Sequence, residues 1–380
     1  MPRIYLDNAA TSWPKPPAVY EAVDRFQREI GALAGRGTYD SAGDAARLVR
    51  QARALVAGVI SAPDPTRVLF TPGCTHALNQ AIFGMVRPGD HVVTTVCEHN
   101  AILRPLAMLR DSQGVEVSYA QCDSVGVVDP AEIAAAIRPT TWLVAITAAS
   151  NVTGAVMDLR AIGAVCRDAG VRLLVDAAQL LGHETLDVVA DNISLLAAPG
   201  HKGLRGPLGV GMLWMAPGTE AQLRPQIFGG TGAHSELETP AAKVPESYEA
   251  GSLNVPAIAG LSAGIETLAE EGKIAQRMTK RLMRGLAEIA GVTLYGPPPH
   301  ERRAAVVSFN IKRQDPQQVA AILASAGVEC RAGLHCAPRM HKALGTLERG
   351  GTVRLSPGVA TSEQQIEQVI TLVQQIAEMH

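Results

Sequence analysis

Several features are missing from this chain of 380 residues, and each absence excludes a class of protein. No Cys-x-x-Cys pair occurs; the six cysteines stand apart at 74, 97, 122, 166, 330 and 336. That scatter argues against a disulfide framework or a structural zinc site, and it fits a reducing compartment. No apolar run reaches membrane-spanning length, and the opening MPRIYLDNAATSW lacks the basic-then-apolar pattern of a secretory signal. Neither sign of charge is in excess: 34 basic against 36 acidic side chains leave −2, without long runs of one sign. Neither nucleic acid nor an anionic membrane is therefore an expected partner. Low-complexity tracts and internal repeats are absent too. The expectation is a soluble, cytoplasmic protein without a metal centre.

What is present points to a large α/β protein. Apolar residues make up 47% of the chain, enough for a sizeable core and two domains. The 36 glycines and 24 prolines fall at element boundaries, as in a succession of short α/β units. Arg3 to Leu6 reads as a short strand, followed by a small, polar loop that places Asn8 and Ala9 near a ligand. Prolines 14, 16 and 17 open a helix whose apolar residues Val19, Ala22, Val23, Phe26 and Ile30 recur at helical spacing. A Gly-rich loop, 31–43, leads to a second helix over 45–60. From there strands (67–71, 92–96, 115–120, 142–147, 171–175, 193–198, 212–214) alternate with helices (77–85, 129–137, 158–170). This repetition predicts a mostly parallel sheet between helices.

Phe228 to Ser252 is too long for a plain connector and reads as a functional loop. A helical pattern from Pro256 to Ile289, broken near Gly272, leads to strands at 305–311, 328–330 and 352–355 and helices at 317–326 and 363–378. The expected domains are a segment 1–15 that joins the small domain, a large cofactor-binding domain 16–260, and a small α+β domain 261–380.

The chemistry centres on Val171 to Gly211. The buried strand 171–175 delivers Asp176 at its carboxyl end, the edge where open α/β sheets bind ligands. The next apolar run delivers Pro199-Gly200-His201-Lys202-Gly203. A carboxylate and a lysine so placed suit pyridoxal 5'-phosphate: the lysine forms the Schiff base, and the acid keeps the pyridine nitrogen protonated. Gly73-Cys74-Thr75, at a strand-to-helix turn, offers backbone N–H groups to a phosphate, or is an ordinary helix cap. His99 either stacks on a flat ring or is a satisfied loop histidine. Asn151 and Gln179 either contact the cofactor's phenolic oxygen or bond a turn. Farther on, Arg331-Ala332-Gly333-Leu334-His335-Cys336 sets a cysteine among glycine, histidine and proline. Arg331, Arg339 and His341 are local positive charges that would favour its thiolate, whereas Cys330 reads as structural. Arg354 is either a fork for a substrate carboxylate or a surface ion pair.

Together, Tyr5-Leu6-Asp7-Asn8-Ala9-Ala10-Thr11, Gly73-Cys74-Thr75, Glu98-His99-Asn100, Asp176-Ala177-Ala178-Gln179, Gly200-His201-Lys202 and Arg331-Ala332-Gly333-Leu334-His335-Cys336 resemble the class V aminotransferase-like enzymes. Within that group the resemblance is to the cysteine desulfurase and selenocysteine lyase family, and its second, SufS-like group with a short ordered cysteine loop. It implies a fold-type I pyridoxal-phosphate-dependent transferase, with a mostly parallel seven-stranded sheet between helices and a small α+β domain. It also implies roles. Lys202 would be the Schiff-base lysine, Asp176 the partner of the pyridine nitrogen, and His99 the stacking ring. Gln179 and Asn151 would meet the phenolic oxygen. Thr75, the Cys74 amide and His201 would hold the phosphate, and Ser252 would reach the neighbouring subunit's phosphate in a homodimer. Arg354 would bind the substrate carboxylate, with Arg331, Asn8 and Ala9 also at the substrate.

Cys336 would take sulfur from L-cysteine as a persulfide, release L-alanine, and pass the sulfur to an acceptor protein, as in iron–sulfur cluster assembly. Selenocysteine lyase (selenium donor) and class V aminotransferase are the alternatives, with L-selenocysteine as the other substrate. This chain departs from the pattern in three places. Pro199 replaces a usual serine, removing a hydroxyl from the phosphate cup, and Cys74 replaces a common threonine. Glu98-His99-Asn100 carries one histidine where relatives often have two.

Overall fold

The structure is a computed structural model that describes residues 3–35, 37–231, 238–239 and 243–379. Its centre is a seven-stranded sheet in the order Val68–Thr71, Gly211–Met215, Leu195–Pro199, Arg172–Asp176, Thr141–Thr147, His91–Thr95, Glu116–Ala120. The last five run parallel, while Gly211–Met215 is antiparallel to both of its neighbours. The mostly parallel sheet expected from the strand–helix repetition is met. The middle residues of its central strands are apolar because both faces are covered. Val93, Val144, Leu173 and Val175 feed one core, and Val92, Leu143, Ala145 and Leu174 feed the opposite one.

Helix starts follow capping chemistry. Asp158 accepts from the Ala161 N–H at 3.0 Å and Asp129 from the Ala131 N–H at 2.8 Å, fixing the helices Leu159–Asp168 and Pro130–Ala136. Several elements differ from expectation. The helix Cys74–Met85 begins at Cys74 itself, and Asp40–Val59 begins inside the supposed loop. Asn100–Gln113 is a helix that the sequence reading lacked. It is capped by a histidine and contains Pro105, which removes one backbone hydrogen bond, yet it buries Ile102, Leu106 and Leu109 against the sheet. The break in the long helical pattern falls at Thr267, between Val255–Glu266 and Leu268–Ala287, rather than near Gly272. There the Thr267 hydroxyl donates back to the Gly264 carbonyl at 2.8 Å, and Arg205 donates to the Thr267 carbonyl at 3.2 Å. Of the stretch 228–252, residues 232–237 and 240–242 lie outside the described residues.

The C-terminal part builds an antiparallel sheet in the order Arg331–Gly333, Thr352–Leu355, Val307–Ile311, Val292–Tyr295. Its helices are Pro316–Ser325, Pro338–Ala343 and Glu363–Glu378, the last opened by a Ser362/Gln365 capping box. The N-terminus belongs here by packing. Ile4–Tyr5 pairs in parallel with Val328–Glu329, and Ile4 and Leu6 share a core with Phe309, Val353 and Ile366.

Candidate active site

The carboxyl ends of the parallel strands open onto a cavity of about 410 Å³. Asp176, Asn151, Gln179, His99, His201, Lys202, Cys74 and Thr75 all line it. Asp176 ends its strand 3% exposed, its Oδ1 accepting from the Ala178 N–H at 2.9 Å and the Cys74 thiol at 3.5 Å. Burial and this carboxylate push the Cys74 thiol well above its ordinary range, so it stays protonated as the donor. Across the cavity, burial lowers the Lys202 pKa, opposed by Asp176. A lysine so placed gives up its proton more readily than one in water, which is what a nucleophilic amine needs.

One wall is the start of the helix Cys74–Met85. The Gly73 carbon that precedes it faces open space, and the helix leaves its first N–H groups towards the cavity, an arrangement suited to an anion. Gly211 lets the neighbouring strand approach this turn: a Cβ there would lie 2.7 Å from Gly73 backbone carbons. Opposite, His201 Nδ1 is buried with no protein partner, and burial brings its pKa down to about 4. His99 Nδ1 accepts from the Ala101 N–H at 3.0 Å, which puts the proton of the neutral ring on Nε2. Burial favours that neutral form.

The cysteine loop is tied to the same wall. Asn151 Nδ2 donates to the His335 carbonyl at 2.7 Å, and the Asn100 N–H to the Cys336 carbonyl at 2.7 Å. His335 and Cys336 have φ of 48° and 58°, two successive left-handed residues, and Cys336 is exposed. Such a backbone persists only where its surroundings hold it. Behind Asn151, Arg354 donates to the Asn151 carbonyl at 3.2 Å and to Asp7 Oδ1 at 2.9 Å.

The Aminotransferase class-V family model matches residues 4–369. The chain belongs to the class V aminotransferases. Members of this family are generally pyridoxal-phosphate dependent. A probable cysteine desulfurase of Methanothermobacter thermautotrophicus is 37% identical over 99% of this chain and 95% of its own. A cysteine desulfurase of Yersinia pestis is 34% identical over 88% of this chain and 84% of its own. Among solved structures, the apo cysteine desulfurase of Thermococcus onnurineus NA1 superposes with a TM-score of 0.93 at 31% identity, covering 100% of this chain and 95% of its own.

Within this family frame, the residues singled out by sequence divide into two sets. Those named for the cofactor share the cavity, except Ser252, which lies exposed before the helix Val255–Glu266 and does not line it. Those named for the substrate stand outside the lining. Asn8 donates to the Ser356 carbonyl at 2.9 Å, and the Ala9 carbonyl accepts from Gln179 Nε2 at 2.9 Å. Arg331 is an exposed partner of Asp7 at 2.9 Å. Arg354 is not a surface ion pair: it is 3% exposed and paired with Asp7. The charge expected around Cys336 is reduced. Arg339 lies over the Tyr119 ring at 3.5 Å, and burial brings His341 down to about 4, so that it is neutral at pH 7. Arg354 is buried, and burial lowers its pKa while Asp7 opposes the shift.

Two participants were missed. Asp7 sits inside a motif that was quoted, but its two arginines are more than 300 positions away. Glu98 is fully buried, and burial raises its pKa to about 8; Oε1 accepts from Thr95 Oγ1 at 2.5 Å and Oε2 has no partner. Its place between Cys97 and His99 at a strand end was the available signal.

Proposed function

We propose that this protein is a cysteine desulfurase that uses pyridoxal 5'-phosphate, with L-cysteine as sulfur donor and Cys336 as first sulfur acceptor. The observation that carries the reading is that Lys202 and Asp176 line one cavity whose wall residue Asn151 holds the Cys336 loop through the His335 carbonyl at 2.7 Å. The residues present fit the cofactor. The open cradle at Gly73, the first turn at Cys74 and Thr75, and the unpartnered His201 Nδ1 suit its phosphate, and Asp176 suits a protonated ring nitrogen. When bound through Lys202, this cofactor stabilises negative charge developing at the Cα of an amino acid.

The chain's own residues do the rest. Asp176, 3% exposed, accepts from Ala178 and Cys74 through Oδ1, which leaves Oδ2 for the ring N–H. Lys202, its pKa lowered by burial, takes the Cα proton and returns it. His99, neutral and fixed by its cap, presents a flat face and an Nε2–H. Asn151 links the cofactor's surroundings to the cysteine loop through the His335 carbonyl. The Cys336 thiolate attacks the substrate sulfur: an S–S bond forms, the Cβ–S bond breaks with its electron pair left to carbon, Cβ takes up a proton, and the three-carbon product leaves as L-alanine. The persulfide sulfur passes to an acceptor protein. Exposed Ser252, outside the cavity of its own chain, supports a homodimer in which it completes the partner's phosphate site.

The test is mass spectrometry of Cys336 after exposure to L-cysteine, with alanine measured in parallel. One added sulfur on Cys336 and its loss in Cys336→Ser are expected. A Cys336→Ala variant with full L-cysteine turnover would sink the reading. Comparison with L-selenocysteine separates the lyase alternative.

A further inference from the structure

We propose that Cys97 and Cys122 form a dithiol that closes to a disulfide and thereby shifts the turn carrying His99. The strands His91–Thr95 and Glu116–Ala120 are parallel neighbours with Thr95 opposite Ala120, and the Val96 N–H donates to the Ala120 carbonyl at 3.1 Å. The two cysteines follow on these adjoining chains, at the carboxyl end of the edge strand, with their side chains close enough to interact. At Thr95 and Ala120, two residues before the cysteines, the paired strands lie about 4.8 Å apart, and a disulfide needs about 4.4–6.8 Å between Cα atoms.

The thiols are unequal. Cys97 is wholly buried and donates to the Gly126 carbonyl at 3.5 Å, whereas Cys122 is half-buried and open to a reagent. Cys122 is the more exposed thiol, and the interaction between the two lowers Cys122 and raises Cys97, so Cys122 supplies the attacking thiolate. With a low-molecular-weight disulfide as oxidant, the Cys122 thiolate attacks one sulfur and releases one small thiolate. Cys97 then loses its proton to that thiolate and attacks the Cys122 sulfur, breaking the mixed bond and releasing the second. Two protein thiols are oxidised and one small disulfide is reduced to two thiols.

The link would form at the root of a functional turn. Thr95 Oγ1 accepts from the Cys97 N–H at 3.0 Å and donates to Glu98 at 2.5 Å; His99 and Asn100 follow, and Asn100 holds the Cys336 carbonyl. Loss of the Cys97–Gly126 contact also reaches the helix after Cys336, because Met340 packs against Gly126.

The experiment uses cofactor-loaded Cys336→Ser protein, which lacks the exposed thiol, with and without Cys122→Ser. After glutathione disulfide and alkylation, peptide mapping is expected to find a Cys97–Cys122 link that dithiothreitol reverses. The visible circular dichroism of the bound cofactor is expected to change with the link and to stay unchanged when Cys122 is serine. Alkylation of both residues after oxidation, arrest at a glutathione adduct, or a link without a dichroism change each overturns the proposal. The optical readout rests on the cofactor assignment. A missing cofactor band would count against that assignment, while the mapping still decides the dithiol.

Discussion

Asp7 joins two arginines of very different burial, and replacing it separates their energies. Its Oδ1 accepts from Arg354 and its Oδ2 from Arg331, each at 2.9 Å. The side chains are 3% and 50% exposed respectively, with Asp7 at 15%. Loss of the exposed Arg331 pair costs about 1 kcal/mol or less. Loss of the Arg354 pair leaves a buried guanidinium with the Asn151 carbonyl and a buried Nε that has no partner. Breaking a buried pair from one side costs about 3–5 kcal/mol, and that sets the expectation for Asp7→Ala. Asp7→Asn keeps an acceptor and loses about 1.5–3 kcal/mol, the worth of a charge-assisted bond. Arg354→Met costs less than Asp7→Ala, because Asp7 keeps Arg331. The double variant falls short of the sum, since no uncompensated charge remains. Urea unfolding of the four proteins, followed by far-ultraviolet circular dichroism, measures the set. An Asp7→Ala cost below about 1 kcal/mol, the value of a hydrated pair, would refute the claim that Arg354 depends on Asp7.

Gly211→Ala is expected to press a methyl onto the Gly73 and Cys74 backbone, costing about 1–3 kcal/mol and weakening cofactor retention, which dialysis and absorbance would show. Glu98 keeps its proton up to about 8 in the fold, against 4.5 when exposed, so it makes stability fall as pH rises from 4.5 to 8; Glu98→Gln should flatten the melting temperature over that interval. His183, His201 and His341 act oppositely: each is held down to about 4, so unfolding takes up protons below 6.5 and stability should drop as pH falls from 6.5 towards 4. Asp158→Ala should cost about 1 kcal/mol through the lost cap on Leu159–Asp168, readable as a lower melting temperature.

The sheet and most helix starts were legible because their causes are local. An apolar run such as Leu195–Pro199 belongs to a strand covered on both faces, and Asp158 or Ser362 announces a helix within three residues. The helix Asn100–Gln113 was missed for the same reason. A histidine cap and an interior proline are local signals against it, and burial of Ile102, Leu106 and Leu109 overrode them. Residue types also placed Lys202, Asp176 and the strand-to-helix turn Gly73-Cys74-Thr75 on one edge, because the carboxyl ends of parallel strands converge there.

The tertiary structure alone decided which groups are charged, paired or tethered. Sequence placed positive charge beside Cys336, but burial neutralises His341 and Tyr119 covers Arg339. It offered Arg354 as a fork or a surface pair, whereas folding buries it against Asp7, 347 positions away. Desolvation and pairing depend on what surrounds a group in space, and those surroundings come from distant parts of the chain. The sequence by itself determined the elements and the chemical types at their ends. The fold determined their protonation, their partners and the tie between Asn151, Asn100 and the cysteine loop, because electrostatic energies in a buried site are set by distance and solvent exclusion rather than by order along the chain.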